Sequence, residues 1–134
     1  MPTSPPLLFR ALADRTRLRI VNLLARGSLC VCDLQRVLEQ PQSSVSRHLA
    51  LLRSSGIVRD RRDGMRTFYA LTPPESPLVR GVLSAIRAHL ATDGDYRADL
   101  EDLTRLRERG ECHEEPKRRE ARRASRPESD RREA

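Results

Sequence analysis

Val45, Leu49 and Leu52 stand four and three residues apart, with Ser, Arg, His and Ala among the residues between them. That spacing places three apolar side chains on one stripe of a helix, predicted over Ser43–Ser55, and leaves Ser43, Ser44, Ser46, Arg47, His48 and Ala50 on the opposite side. Upstream, Leu34, Val37 and Leu38 mark a shorter helix over Asp33–Glu39. Gln40-Pro41-Gln42 is the turn between the two, since Pro41 cannot occupy a helix interior. Helix, short turn and helix with a polar outer face is the helix-turn-helix pattern.

The flanking segments extend this unit. Leu7–Ala13 reads as a short helix. Asp14 is a fitting N-cap for a second, which carries Leu18, Ile20, Val21, Leu23 and Leu24 and stops at Gly27. Ser28–Val31 is short and β-prone. After Gly56, Ile57–Arg62 and Met65–Leu71 read as strands joined at Asp63-Gly64, a strong hairpin signal. Arg59, Arg61, Arg62 and Arg66 cluster on this hairpin, which makes it a basic wing. Pro73, Pro74 and Pro77 precede a fifth helix, Leu78–Ala91, whose apolar surface (Val79, Val82, Leu83, Ile86, Leu90) is broad enough to meet another subunit. Tyr96, Leu100 and Leu103 stripe a sixth helix that frays by Gly110. From Glu111 onward the chain is charged and almost without large apolar residues, so it is expected to lack order. The expected organisation is a winged helix-turn-helix domain for DNA binding and dimerisation over residues 1–92, a C-terminal helix over 93–110 and a charged tail over 111–134. The expected fold class is mainly α with a small β-hairpin wing.

Charge sharpens the picture. The formal net charge is +7, and residues 1–72 hold 12 arginines against five acidic residues, so the whole excess sits in the half with the helix-turn-helix. A basic surface there suits a polyanion such as duplex DNA. Aromatic residues are 3% of the chain and Trp is absent, which disfavours a stacking platform for single strands. No apolar stretch approaches the ~20 residues of a membrane span, and no signal pattern opens the chain. Three cysteines do not suggest a secreted disulfide scaffold, so a reducing cytosol is the expected setting.

Cys30-Val31-Cys32 is where chemistry enters. Two thiols one residue apart, at the N-terminus of the first helix-turn-helix helix, can grip one soft ion. The helix dipole and free N–H groups there favour thiolate. Residues i and i+2 do not share a helix face, so both sulfurs converge only where the first turn departs from regular helix. Ligation is then expected to distort the third and fourth helices. The alternative is a pair of buried structural thiols. Cys112, in Glu111-Cys112-His113, is either a third ligand that folds back or an incidental tail thiol, and His113 is a lesser ligand candidate. On the DNA side, Gln42, Ser43, Ser44, Ser46, Arg47 and His48 are expected at the major groove and its phosphates. Arg47 is the best candidate to read guanine and the serines suit phosphate, while His48 has a packed or capping role as its alternative. Arg59, Arg61, Arg62 and Arg66 would touch phosphates or the minor groove, or else form only a solvated charged hairpin.

The stretches Leu7–Ile20, Leu29-Cys30-Val31-Cys32-Asp33-Leu34, Gln42–Leu49 and Leu51–Val58 together resemble the ArsR (ArsR/SmtB) family of metal-sensing winged-helix repressors, over about Pro5 to Leu90. The Cys-Val-Cys-Asp-Leu box is similar to the arsenite- and antimonite-sensing branch. The resemblance implies a homodimer packed through its first and fifth helices, bound to double-stranded operator DNA and released when As(III) or Sb(III) binds Cys30 and Cys32, with no organic cofactor and no membrane. The best-known arsenite sensors carry a third Cys one helical turn after the pair, and Gln35 stands there in this chain, so a three-thiolate site would recruit Cys112. Two other readings stay open. A winged-helix regulator could sense thiol oxidation or another soft metal ion, although a Cys-X-Cys disulfide closes a tight ring. A thiol enzyme of arsenic detoxification would need an anion-cradling loop beside the nucleophile, and no such loop is seen. A further candidate is a protein-interaction module built on a vestigial winged helix, which the intact Ser, Arg and His face disfavours.

Overall fold

Capping side chains and a few prolines set the helical half of the chain. The computed structural model describes residues 3–116. The first helix, α1 (Pro5–Leu12), opens on Pro5 and Pro6, which suit the first turn because their missing N–H groups have no partner there in any case. Asp14 then caps α2 (Arg15–Leu24): its carboxylate accepts from the Arg17 N–H at 3.0 Å. The carboxyl loses solvation by burial, but the Arg17 amide and the charges of Arg17 and His48 outweigh that and hold its pKa below the ordinary value. Gly27, at φ 130°, turns the chain into β1 (Leu29–Cys30).

The third helix, α3 (Val31–Leu38), starts at once, with Cys30 as its N-cap. Glu39 ends it in the left-handed conformation, φ 54° and ψ 43°. Pro41 caps α4 (Gln42–Ser54). The strands β2 (Val58–Asp63) and β3 (Arg66–Leu71) pair antiparallel with Asp63 opposite Arg66, so the tight turn is Gly64-Met65, one residue later than Asp63-Gly64. Gly64 takes φ 59° at the first turn position, where a hairpin needs a residue free of Cβ clash. The chain continues through α5 (Pro77–His89), capped by the Ser76 hydroxyl, then a 3-10 turn over Leu90–Thr92 and α6 (Gly94–Glu108).

The hairpin alone is not the whole sheet. β1 joins it on the free edge of β3, with Leu29 opposite Tyr69 and Cys30 opposite Phe68, giving the order β1-β3-β2. The core lies under this sheet. Leu8, Ile20, Val21, Leu23, Leu34, Val45, Leu49 and Leu52 are fully buried, and Val79, Leu83 and Ile86 of α5 close one side. Leu103 of α6 belongs to the same core. α6 is also latched to α2 by a buried bidentate ion pair, Arg19 to Asp99 with both contacts at 2.8 Å, and by Asn22 Nδ2 donating to the Tyr96 carbonyl at 3.1 Å. The sixth helix is therefore built into the domain it follows.

The tail expected from residue 111 does not begin there. Residues 111–116 lie against the domain, held by Arg36–Glu111 at 2.7 Å, Arg61–Glu115 at 3.5 Å and His113–Asp33. Composition understated this segment because its order comes from ion pairs and hydrogen bonds to α3 and β2, not from apolar burial. Residues 117–134 of that expectation lie outside the described residues. Some apolar side chains stay in solvent: Leu7 and Phe9 on α1 and Leu78 on α5 are 39%, 52% and 41% exposed.

Candidate metal centre and nucleic-acid face

Cys30 ends a strand and Cys32 lies in the first helical turn, and that difference brings their sulfurs together. Cys30 has extended backbone, φ −76° and ψ 157°, and its sulfur accepts from the Asp33 N–H at 3.2 Å as the cap of α3. The two Cα atoms are 5.3 Å apart, well within disulfide range, and the sulfurs are joined as a disulfide. The tight ring closes because only one of its two cysteines is helical. The two sulfurs thus meet at the start of α3, where the chain passes from extended backbone into the first helical turn.

A third group completes the cluster. His113 Nδ1 lies 3.4 Å from Cys32 Sγ and 3.7 Å from Cys30 Sγ. It is also 3.2 Å from Asp33 Oδ1, and the His113 backbone N–H donates to Asp33 Oδ2 at 2.8 Å. Ligand atoms of Cys30, Cys32, Asp33 and His113 all lie within 4.8 Å of one another. Cys112 is outside this group. It is a free thiol, half-buried against the core, and burial pushes its pKa up, with the Asp33 charge adding and Arg107 and Arg36 opposing. Asp33 was not a candidate in the sequence, although its place directly after the Cys-X-Cys pair was the available signal. The burial of its side chain, 0% exposed, could not be read there.

The surface expected to meet DNA divides into two sets. Gln42, Ser43, Ser46 and Arg47 are exposed on α4. Ser44 and His48 are half-buried and face inward. The Ser44 hydroxyl donates to Gln40 Oε1 at 3.1 Å, and Gln40 Nε2 donates in turn to Thr16 Oγ1 at 3.2 Å. His48 Nδ1 lies 3.3 Å from an Arg17 guanidinium nitrogen and 3.8 Å from the Asp14 carboxylate. These two tie α4 to the start of α2. On the wing, Arg59, Arg62 and Arg66 are exposed, whereas Arg61 is half-buried beside Glu115. Arg59 and Arg61 also line a cavity of about 1030 Å³, with Arg26, Arg107, Cys112 and His113 on its other walls.

The two halves of the site are mechanically adjacent. Cys30 is the ladder partner of Phe68 in the wing strand β3, and α3 leads through the left-handed Glu39 straight into α4. The start of α3 therefore adjoins both elements that carry the exposed basic and polar side chains.

Comparison with known proteins is consistent with this arrangement. Residues 14–60 match the description of bacterial regulatory proteins of the arsR family. The chain is 41% identical to the arsenic resistance transcriptional regulator ArsR1 of Pseudomonas putida over 114 residues, 84% of this chain and 85% of that one. Among solved structures, HlyU from Vibrio cholerae superposes with a TM-score of 0.56 at 34% identity, covering 62% of this chain and 87% of that one. The AntR antimony-specific transcriptional repressor superposes with a TM-score of 0.51 at 36% identity, covering 59% of this chain and 69% of that one.

Proposed function

We propose, from the premise that this chain belongs to the arsR family of bacterial regulatory proteins, that it is a dimeric transcriptional repressor released from operator DNA when arsenite or antimonite binds the reduced thiols of Cys30 and Cys32. The observation that carries the reading is the convergence of two sulfurs at the N-terminus of α3, one ladder pair from the wing and one helix from α4. A trivalent metalloid is soft and prefers thiolate to oxygen. In this reading Cys112 supplies the third thiolate through a shift of the segment at residues 111–116, and no organic cofactor takes part. Gln42, Ser43, Ser46 and Arg47 meet the major groove, Arg47 reading a base and the serines holding phosphate. Ser44 and His48 hold α4 in register, and Arg59, Arg61, Arg62 and Arg66 meet backbone phosphates. The dimer forms through α1 and α5, which leave Leu7, Phe9 and Leu78 exposed in the single chain. The family is one of transcriptional regulators, which sets the thiol-enzyme reading aside. Among the described residues no helix is long and apolar enough to cross a membrane, and a DNA-binding regulator of this family would act in the cytosol.

A titration tests this reading. Fluorescence anisotropy of labelled DNA from upstream of the gene, bound to the reduced chain, should fall as arsenite is added. The Cys30→Ser/Cys32→Ser double variant should bind the DNA and ignore arsenite. A wild-type complex indifferent to arsenite removes the metalloid switch.

The disulfide favours a second reading, in which the signal is thiol oxidation. A peroxide or a low-molecular-weight disulfide would take two electrons and two protons from the dithiol as the S–S bond forms. DNA release by such an oxidant in the absence of any ion would support it.

A further inference from the structure

Three alternate residues of the C-terminal segment, Glu111, His113 and Glu115, each meet a charged partner on another element. Arg36 of α3 holds Glu111 twice, through the carboxylate at 2.7 Å and through the backbone carbonyl at 3.2 Å. Asp33 of α3 accepts from the His113 N–H at 2.8 Å. Arg61 of β2 lies 3.5 Å from the Glu115 carboxylate. A two-residue period is that of extended chain, whose side chains alternate between faces. Anchorage of residues 111 and 113 on α3 therefore delivers the carboxylate of residue 115 to the wing. Glu114, between them, is exposed.

The partner on the wing is the informative one. Arg59 faces Ala70 across the ladder and Arg61 faces Phe68, two residues along on each strand, so both arginines stand on one face of the sheet. That face and the segment bound the cavity of about 1030 Å³. Arg59 is exposed there, while Arg61 is half-buried with its guanidinium beside Glu115. A carboxylate beside a guanidinium supplies the negative charge that a phosphate oxygen would. We infer that residues 111–116 form a latch on the wing, in which Glu115 holds Arg61 in place of a DNA phosphate and duplex DNA must displace it to use that arginine.

The latch is weak by construction. The side chains of Arg61 and Glu115 are 39% and 24% exposed, and ion pairs open to solvent contribute little each. Such a contact can hold the segment in the free chain and still give way to a duplex, which carries one charge per ~1.7 Å of its axis.

The inference rests on the reading that the wing arginines meet DNA phosphate. Its test is the affinity of the reduced full-length chain for the labelled upstream DNA, with no ion added and at fixed salt, read by anisotropy. Glu115→Gln should tighten binding about two- to fivefold, the range of one exposed ion pair. Glu114→Gln removes the same charge one residue away and should change binding less. Arg36→Ala gives the sharpest sign. Loss of a positive charge by itself weakens binding to a polyanion, but loss of the Glu111 anchor opens the latch, so binding should tighten. Arg61→Ala should weaken binding, and more so in the Glu115→Gln chain than in wild type, because there Arg61 is already free to serve DNA. Weaker binding by Arg36→Ala, or equal gains from Glu114→Gln and Glu115→Gln that persist in the Arg61→Ala chain, would overturn the latch and leave the repressor reading intact. DNA affinity unmoved by Arg61→Ala in both backgrounds would instead contradict the wing contacts of that reading, and the latch with them.

Discussion

The N-terminus of α3 and the outer face of α4 belong to consecutive helices, yet they are built in opposite ways. At the start of α3 the polar groups satisfy one another: Cys30 caps the helix, Asp33 is fully buried, and His113 is brought in from 80 residues away to meet it. On α4 the polar groups that matter point outward, with Gln42, Ser43, Ser46 and Arg47 exposed. A closed cluster of soft and charged donors suits an ion. An open row of hydroxyls and a guanidinium suits a large polyanion. The left-handed Glu39 and Pro41 separate the two by a single turn.

The largest expected effect breaks one side of the comparison and spares the other. Cys30→Ser/Cys32→Ser should abolish the arsenite response while DNA affinity stays within about twofold, read by anisotropy. Serine is itself a good N-cap, so the start of α3 survives the change. Next is the support common to both regions. Leu49→Ala removes a fully buried side chain beneath α4 and should cost about 2–5 kcal/mol in urea unfolding, weakening both functions together. Arg47→Ala is the mirror of the cysteine variant. It should reduce operator affinity by about 1–3 kcal/mol and leave arsenite binding, measured by calorimetry, unchanged. The smallest effect sharpens the link between α2 and α4. Asp14→Ala removes a cap that also faces His48 and should cost ~1 kcal/mol of stability. The Asp14 carboxyl has a depressed pKa in the folded chain. Its contribution is therefore complete above the ordinary carboxylate value and is lost as pH falls through the lower, folded value. Acid titrations of wild type and variant should converge below that range.

Most of the helical frame was legible because it follows from local spacing. The stripe of Val45, Leu49 and Leu52, the Asp14 cap and the turn at Pro41 are decided within a few residues of themselves. Element ends moved by one or two residues where a cap or turn chose a neighbour, as when the Cys30 sulfur started α3 at Val31 and Gly64 drew the hairpin turn one residue along. The Cys-X-Cys pair was visible because its function demands adjacency. What could not be read was the pairing of distant residues. Nothing local says that β1 adds to the hairpin edge, that Asp99 meets Arg19, or that His113 folds back onto Asp33. The segment at residues 111–116 looked structureless because charge was counted without its partners, Arg36 and Arg61 on other elements.

The central claim is that the thiol end of α3 and the DNA face of α4 are coupled, and coupling between two ligands is reciprocal. The most direct test is the arsenite affinity of the reduced protein measured by calorimetry twice, free and saturated with operator DNA. The account predicts that DNA weakens arsenite binding by the same factor by which arsenite weakens DNA binding. Equal arsenite affinities in the two states would contradict it.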